Sequence, residues 1–396
     1  MYLDDLNLLA ETTKKLQLAA PEIIRFGRGR IKDLPELVRS FVAPGATVVL
    51  LGGVSYKRLL EQLQARMAAE GVQCELISGI SGEPTNESVD ATTQQVRELQ
   101  PKLVIACGGG SVIDTAKAGA ALATNGGMVE DYLEGVGSGR KIEADPLPMI
   151  AIPTTSGTGA EMTKNAVISN YRKQYKKSFR DERMIPDAVI LDPELTTDLP
   201  SGVTVATGLD ALTQLLESAI SRRRTETTTA LACEALVKVP EALLTCFRQP
   251  YSLVARERMM IASAVSGICL ANSGLGLAHA VASALGAVHR VGHGIACGVM
   301  LPHVMEYNKS GAADEMAQAF AAMLGEKQVT GETVDRGIAK LKQLLKALEV
   351  PSSLRLLPLL DEDLRLLAEK AQGNSLSGNP VEMDSEAVYQ FLKTVA

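Results

Sequence analysis

Over its first half the chain alternates short apolar runs with stretches patterned for helices. TVVLLG (47–52), CELIS (74–78), LVIAC (103–107), MIAIP (149–153) and AVILD (188–192) are mostly apolar at successive positions. Strands covered on both faces read this way, whereas a strand with one wet face alternates. Residues 56–70 and 111–124, lying between such runs, have helical spacing and few breakers. The alternation predicts parallel strands joined by crossover helices, a Rossmann-like layer. Beyond DPELTTDLPSG (192–202) the pattern changes. Ala/Leu-rich helical segments near 204–221, 226–247, 253–273, 312–325 and 331–348 follow, and no further strand is read. The fold class expected is an α/β domain with a Rossmann-like parallel sheet over residues 1–193, followed by an all-α domain over 194–396. A chain of 396 residues fits two domains.

Composition narrows the function classes. A net charge of −6 offers no basic excess for nucleic acid. No run of eighteen apolar residues predicts a membrane span. The opening MYLDDLNLLAETTKK lacks the basic-then-apolar order of a signal peptide. None of the six cysteines forms a CxxC pair, and several sit in apolar runs such as LVIAC and SGICLA. They read as buried free thiols, which fits a cytoplasmic protein with neither nucleic acid nor membrane as partner.

Two loops carry candidate chemistry. In LVIACGGGSVIDTAKAGA, Gly108, Gly109, Gly110 and Ser111 stand between a buried strand and a helix. Amides there can approach a pyrophosphate, and the helix N-terminus favours its charge. A tight turn alone would need only one glycine. The second loop, PTTSGTGAE, follows the MIAI strand and presents Thr154, Thr155, Ser156 and Thr158. Both loops lie at the C-terminal ends of predicted parallel strands, where ligands collect in such sheets.

All four histidines fall in HAVASALGAVHRVGHGIACGVMLPH (279–303). His289 and His293 are four apart, as in the HExxH helix of zinc hydrolases. That reading fails because Arg290 stands where the glutamate belongs, and Gly292 sits badly inside a helix. His303 reads as structural.

Taken in order, GGGSVIDTAK, IPTTSGTGAEMT, ATGLDALTQLLES and GLGLAHAVASALGAVHRVGHG resemble the iron-containing (group III) alcohol dehydrogenases over nearly the whole chain. The resemblance implies an α/β domain binding NAD(P), a helical domain holding a divalent metal, an active site in the cleft between them, and a homodimer or larger homo-oligomer. It matches Asp210, His279 and His293 to metal ligands. Two imidazoles and a carboxylate with open positions independently suit Fe(II) or Zn(II). It also places Gly109, Gly110, Ser111 and Asp114 on the pyrophosphate side, and Thr154, Thr155, Thr158 and Lys176 around the cofactor.

Three positions depart from the family pattern. Gln214 stands where another ligand histidine belongs, four residues after Asp210, so that a helix would turn both to the same site as a weaker amide ligand. Ser283 replaces a second histidine, and Gly292 replaces a proline. Two histidines and a carboxylate still suffice for a catalytic metal, as in the related glycerol dehydrogenases. His289 is left with a place beside the nicotinamide, as a proton relay, or a structural one.

The reaction expected is hydride transfer between NAD(P)H and an aldehyde or primary alcohol, with the metal as Lewis acid. Two alternatives stay open: a metal-free nucleotide-binding protein of the same fold, and a dehydroquinate-synthase-like lyase. Cofactor choice is read from VVLLGGVSYKR. NAD-preferring relatives carry an aspartate where this chain has Gly53. Gly52 and Gly53 leave space there, Ser55 can donate, and Lys57 and Arg58 add positive charge, so NADP(H) is expected over NAD(H).

Overall fold

The structure, a computed structural model, describes residues 18–396; the N-terminal segment read for a signal peptide lies outside them. Strands β1 (Ile23–Phe26), β2 (Thr47–Gly53), β3 (Gln73–Ile80), β4 (Leu103–Gly108) and β5 (Met149–Pro153) are followed by β6 (Asn165–Asn170), β7 (Tyr175–Arg180) and β8 (Ala188–Leu191). Six of them form one parallel sheet in the order β1-β8-β5-β4-β2-β3. Helices α1 (Leu34–Phe41), α2 (Lys57–Ala69), α3 (Asn86–Leu99) and α4 (Gly110–Asn125) connect or cover them.

The sheet explains the unbroken apolar runs. Val49 and Leu51 of β2 join one core with Val104, Ala106 and Ile113. Val48 and Leu50 face the other, with Leu103, Ile105 and Ile150. Successive side chains point to opposite faces, both faces are covered, and every position is therefore apolar.

Two features lacked such a signal. Strand β1, IIRF, is a four-residue edge strand interrupted by Arg25, too short to stand out as a buried run. Strands β6 and β7 form a separate antiparallel hairpin, and YKKSFR of β7 is too polar to read as a strand.

From α5 (Ser201–Ile220) onward the chain is helical. Helices α6 (Glu226–Leu236), α7 (Val239–Arg248), α8 (Leu253–Ser273), α9 (Leu277–His289) and α10 (His293–Asn308) are followed by α11 (Ala313–Leu324), α12 (Thr333–Ala347), α13 (Asp361–Lys370) and α14 (Ser385–Val395). The segment read as 226–247 is two helices, broken at Lys238 with φ 61°. Helix α5 runs through the middle, and residues 208–220 of it are all buried. No single described helix is long and apolar enough to cross a membrane. The bent pair α8 and α9, which passes that test jointly, is a largely buried part of this core.

The two parts meet through glycines. Gly159, in the loop after β5, has φ +58°, and a Cβ on Gly267 of α8 would collide with its carbonyl oxygen. A Cβ on Gly157 would come within 2.7 Å of the α5 backbone at Thr207. The loop thus rests on two helices at backbone contact. Gly267→Ala is expected to force this contact apart and destabilise the protein by about 2–3 kcal/mol through overpacking. Thermal unfolding followed by circular dichroism checks this, and an unchanged Tm would mean that the loop yields freely.

Candidate active site in the interdomain cleft

Asp210, Gln214 and Glu217 recur on α5 at helical spacing and share one face. Glu217 organises the ligands around it. Its carboxylate, 1% exposed, accepts from the amides of Gly276 (3.1 Å) and Ala278 (2.6 Å) at the start of α9. It also lies 2.6 Å from His279 Nδ1. A helix N-terminus stabilises a buried anion, and the anion in turn fixes the imidazole. With its proton held at Nδ1, His279 turns Nε2 to Asp210 Oδ1, at 3.2 Å.

His293 arrives with α10. Its start sits tightly on α5, since a Cβ on Gly294 would collide with the Ala206 carbonyl oxygen. This brings His293 Nε2 to 3.8 Å from Asp210 Oδ1. One turn on, the buried Cys297 places Sγ 3.7 Å from His293 Nε2. Asp210, His279, His293 and Cys297 each offer a donor atom within 4.8 Å of all the others.

Electrostatics suit a cation. Burial works against the Asp210 charge, but the His279 hydrogen bond and the His293 ring hold its carboxyl below the usual range. Burial also opposes charge on His279, yet Cys297, Asp210 and Glu217 together raise it well above its ordinary value. His293 is pushed down to about 4 by burial and by the Lys176 ammonium, against the pull of Asp210, so its ring is neutral at neutral pH. Burial pushes the Cys297 thiol up to about 11. A divalent ion among these atoms favours the metal-binding form of each.

Gln214 is held differently from a free ligand. Its Nε2 donates to the Thr158 carbonyl (3.2 Å), and its Oε1 accepts from the Ser266 hydroxyl (2.7 Å). His289 is not brought to the cluster. Arg290, with φ 55°, ends α9 and leaves His289 Nε2 3.6 Å from Asp363 Oδ1 of α13, away from the residues lining the interdomain cavity. His303 donates from Nε2 to the Ser352 carbonyl (2.7 Å).

The cluster opens into that cavity, 480 Å³ in volume. Gly110, Ser111, Asp114 and Thr158 line one wall, Asp210, Gln214, His279, Ser283 and His293 another. Lys176, Ser178 and Arg180 of the β6–β7 hairpin form a third, with Lys176 Nζ 2.5 Å from Glu83 Oε2. The glycine loops interlock: a Cβ on Gly110 would lie 2.7 Å from Thr158 Oγ1, and one on Gly109 would lie 3.2 Å from the Thr155 methyl. Asp114 also has a structural partner, since Oδ2 accepts from the Val167 amide (3.0 Å) and Oδ1 lies 3.4 Å from the fully buried Lys117 Nζ.

The remaining cofactor candidates stand outside the cavity lining. Thr154 is fully buried and its hydroxyl has no partner among the described residues. Gly52 is required by packing, as a Cβ would collide with the Leu60 side chain. Gly53 would admit a Cβ at ordinary contact distance, 3.4 Å from the Ile80 carbonyl oxygen and 3.6 Å from the Val112 side chain. Ser55 follows in a short 3₁₀ turn.

Two site residues escaped sequence reasoning. Glu217 looks like a surface charge in LLES; its signal was a carboxylate seven residues after Asp210 on an otherwise apolar face. Cys297 reads as one buried thiol among six; its signal was the four-residue spacing from His293 at a helix start.

A parallel dinucleotide-type sheet joined to a helical domain, with a buried ligand cluster facing the glycine loop, defines a class of cofactor- and metal-using dehydrogenases. Comparison with known proteins agrees. Residues 21–193 match the model for iron-containing alcohol dehydrogenase, and residues 204–396 match that for the C-terminal part of the Fe-containing alcohol dehydrogenase family. Alcohol dehydrogenase 4 of Saccharomyces cerevisiae (strain YJM789) is 32% identical over 94% of this chain and 96% of its own length. An NAD-dependent methanol dehydrogenase of Bacillus methanolicus is 31% identical over 93% and 96%. The crystal structure of an archaeal halo-thermophilic alcohol dehydrogenase from a Red Sea brine pool superposes with TM-score 0.88 at 26% identity, covering 96% of this chain and 99% of that one. The chain belongs to the iron-containing alcohol dehydrogenase family and is an NAD(P)-dependent oxidoreductase of alcohols and aldehydes.

Glu217→Gln removes the charge that orients His279 and keeps the shape. It is expected to weaken metal retention by about tenfold to a hundredfold. Titration with a chelator, with metal analysis of wild type and variant, checks it; equal retention would mean that His279 holds its orientation without the charge.

Proposed function

We propose that the protein is a metal-dependent aldehyde reductase that prefers NADPH. The observation that carries this reading is the single cavity with a glycine–threonine loop on one wall and Asp210, His279 and His293 on the other. The donor set fits a catalytic metal: two imidazoles and a carboxylate, with the His279 tautomer fixed by Glu217. The loops fit a pyrophosphate, because the glycine turn leads from β4 into the N-terminus of α4, and Gly110, where a Cβ would collide with Thr158, lets the two loops close on each other beside the cavity.

Asp210, His279 and His293 would hold Fe(II) or Zn(II), which supplies Lewis acidity to a carbonyl oxygen and to the alkoxide formed from it. Gly110 and Ser111 bind the cofactor's phosphates at the start of α4, and Thr155 and Thr158 pack against that turn. NADPH held there would supply hydride to a carbonyl carbon, and the reduced oxygen would then need a proton. His289 lies away from the cavity, which leaves water and a cofactor hydroxyl as proton sources. Domain limits at 193/194, a cytoplasmic setting suited to six free thiols, and a homo-oligomeric state belong to the same reading.

The NADPH preference rests on Gly53. The end of β2 has no carboxylate at that position and would take a Cβ at ordinary contact distance, with Ser55 two residues on and the exposed Lys57 and Arg58 nearby. A carboxylate there would accept from the ribose of NAD and repel a 2′-phosphate. Wild type is expected to show kcat/KM at least about tenfold higher with NADPH than with NADH, and Gly53→Asp should reverse the order. Steady-state kinetics with both cofactors on a panel of aldehydes checks this; a wild type faster with NADH removes the preference.

The metal assignment has its own test. His279→Ala and His293→Ala should each lose metal and turnover together, while His303→Ala should keep both, being held at Ser352. Elemental analysis of the purified variants decides it, and full metal content in His279→Ala would sink the assignment.

A further inference from the structure

We propose that the Cys297 thiolate is the fourth protein ligand of the metal and that it tunes the site towards Zn(II). The inference rests on the metal-dependent function proposed for this site and concerns only which atoms complete the coordination.

The first argument is geometric. In a tetrahedral zinc site, usual bond lengths place neighbouring nitrogen and oxygen donors about 3.4 Å apart, and nitrogen and sulfur about 3.6 Å apart. Here His279 Nε2 and Asp210 Oδ1 are 3.2 Å apart, His293 Nε2 and Asp210 Oδ1 3.8 Å, and His293 Nε2 and Cys297 Sγ 3.7 Å. All four donors lie within 4.8 Å of one another, so one ion can reach them with small side-chain adjustments.

The second argument is the state of Gln214, the other residue placed to complete the set. The Thr158 carbonyl can only accept, so it fixes the Gln214 NH2 beside it and turns Oε1 to the Ser266 hydroxyl. Flipping the amide would set two carbonyl oxygens face to face. Gln214 thus braces the loop after β5 against α5 and α8. Helix α10 supplies the remaining donor instead, because His293 and Cys297 are one turn apart on the same face.

The third argument is charge and softness. Asp210 and a Cys297 thiolate together neutralise a divalent ion inside a buried site, while the Glu217 charge is taken up by the His279 Nδ1 proton and the α9 amides. Binding releases the Cys297 thiol proton to solvent as the S–metal bond forms. A thiolate beside two imidazoles favours Zn(II), or Co(II) as its probe, over harder ions. Four protein ligands still admit a substrate oxygen by expansion to five-coordination.

The test is anaerobic titration of the metal-free full-length enzyme with Co(II), read by absorption. Wild type should bind one equivalent and develop a near-ultraviolet thiolate-to-Co(II) charge-transfer band. Cys297→Ser and Cys297→Ala should lack that band and bind Co(II) at least about tenfold more weakly through the three remaining ligands. Cys269→Ser, which alters a buried thiol elsewhere, should keep it. One equivalent of Co(II) bound to wild type without the band overturns the thiolate ligand and leaves the metal reading standing. No Co(II) binding by wild type overturns both.

Discussion

The site depends on one buried carboxylate. Glu217 sits in the helical core, shut off from bulk solvent, and it persists there because the start of α9 and the His279 Nδ1 proton surround it with donors. Each partner needs the others. Without the carboxylate the first amides of α9 are orphaned and His279 is free to rotate. Without the helix end the carboxylate has no counterweight. Asn379 strengthens the same junction by accepting from the Leu277 amide (3.2 Å) and from Asn308 (2.9 Å). The placing of His279 beside Asp210 is thereby tied to how α5 and α9 pack, and not to those two residues alone.

The second constraint is the close approach of the two domains. Gly157 and Gly159 let the loop after β5 touch α5 and α8 at backbone distance, and Gly294 does the same for the start of α10 against α5. The loop after β5 and the helices that carry Asp210 and His293 are thus fixed to each other at backbone contact. Hydride transfer needs donor and acceptor atoms held at near-contact, and rigid backbone contact is a direct way to hold them.

How much of this was legible in the sequence depends on what each element buries. The central strands were readable because both faces are covered. Strand β1 was not, because an edge strand of four residues is only half-covered, and β7 was not, because its polar side chains line a cavity. The turn at Gly109 and Gly110 was visible in the sequence, and the family resemblance singled out Asp210, His279 and His293, which the structure brings together. Glu217 and Cys297 were not. The first resembles any helical glutamate until α9 is seen ending on it, and the second resembles any core thiol until α10 is laid beside α5. Gln214 was read from its place in the family motif and its spacing from Asp210, and these give the face of a helix but not the hydrogen bonds already made on it.

The β6–β7 hairpin has a consequence for how such an enzyme diversifies. It is held by backbone ladder bonds from Asn165 to Arg180, and it lends the cavity Lys176, Ser178 and Arg180 without belonging to the main sheet. Side chains on that wall carry little of the fold's stability, since β7 has only Tyr175 and Phe179 buried. Lys176 is tied to the cluster through its charge on His293 and its pairing with Glu83, but Ser178 and Arg180 are not. Side chains at those two positions can change the shape of the cavity at small cost to folding, while Asp210, His279, His293, the glycine loops and the domain contact stay as they are.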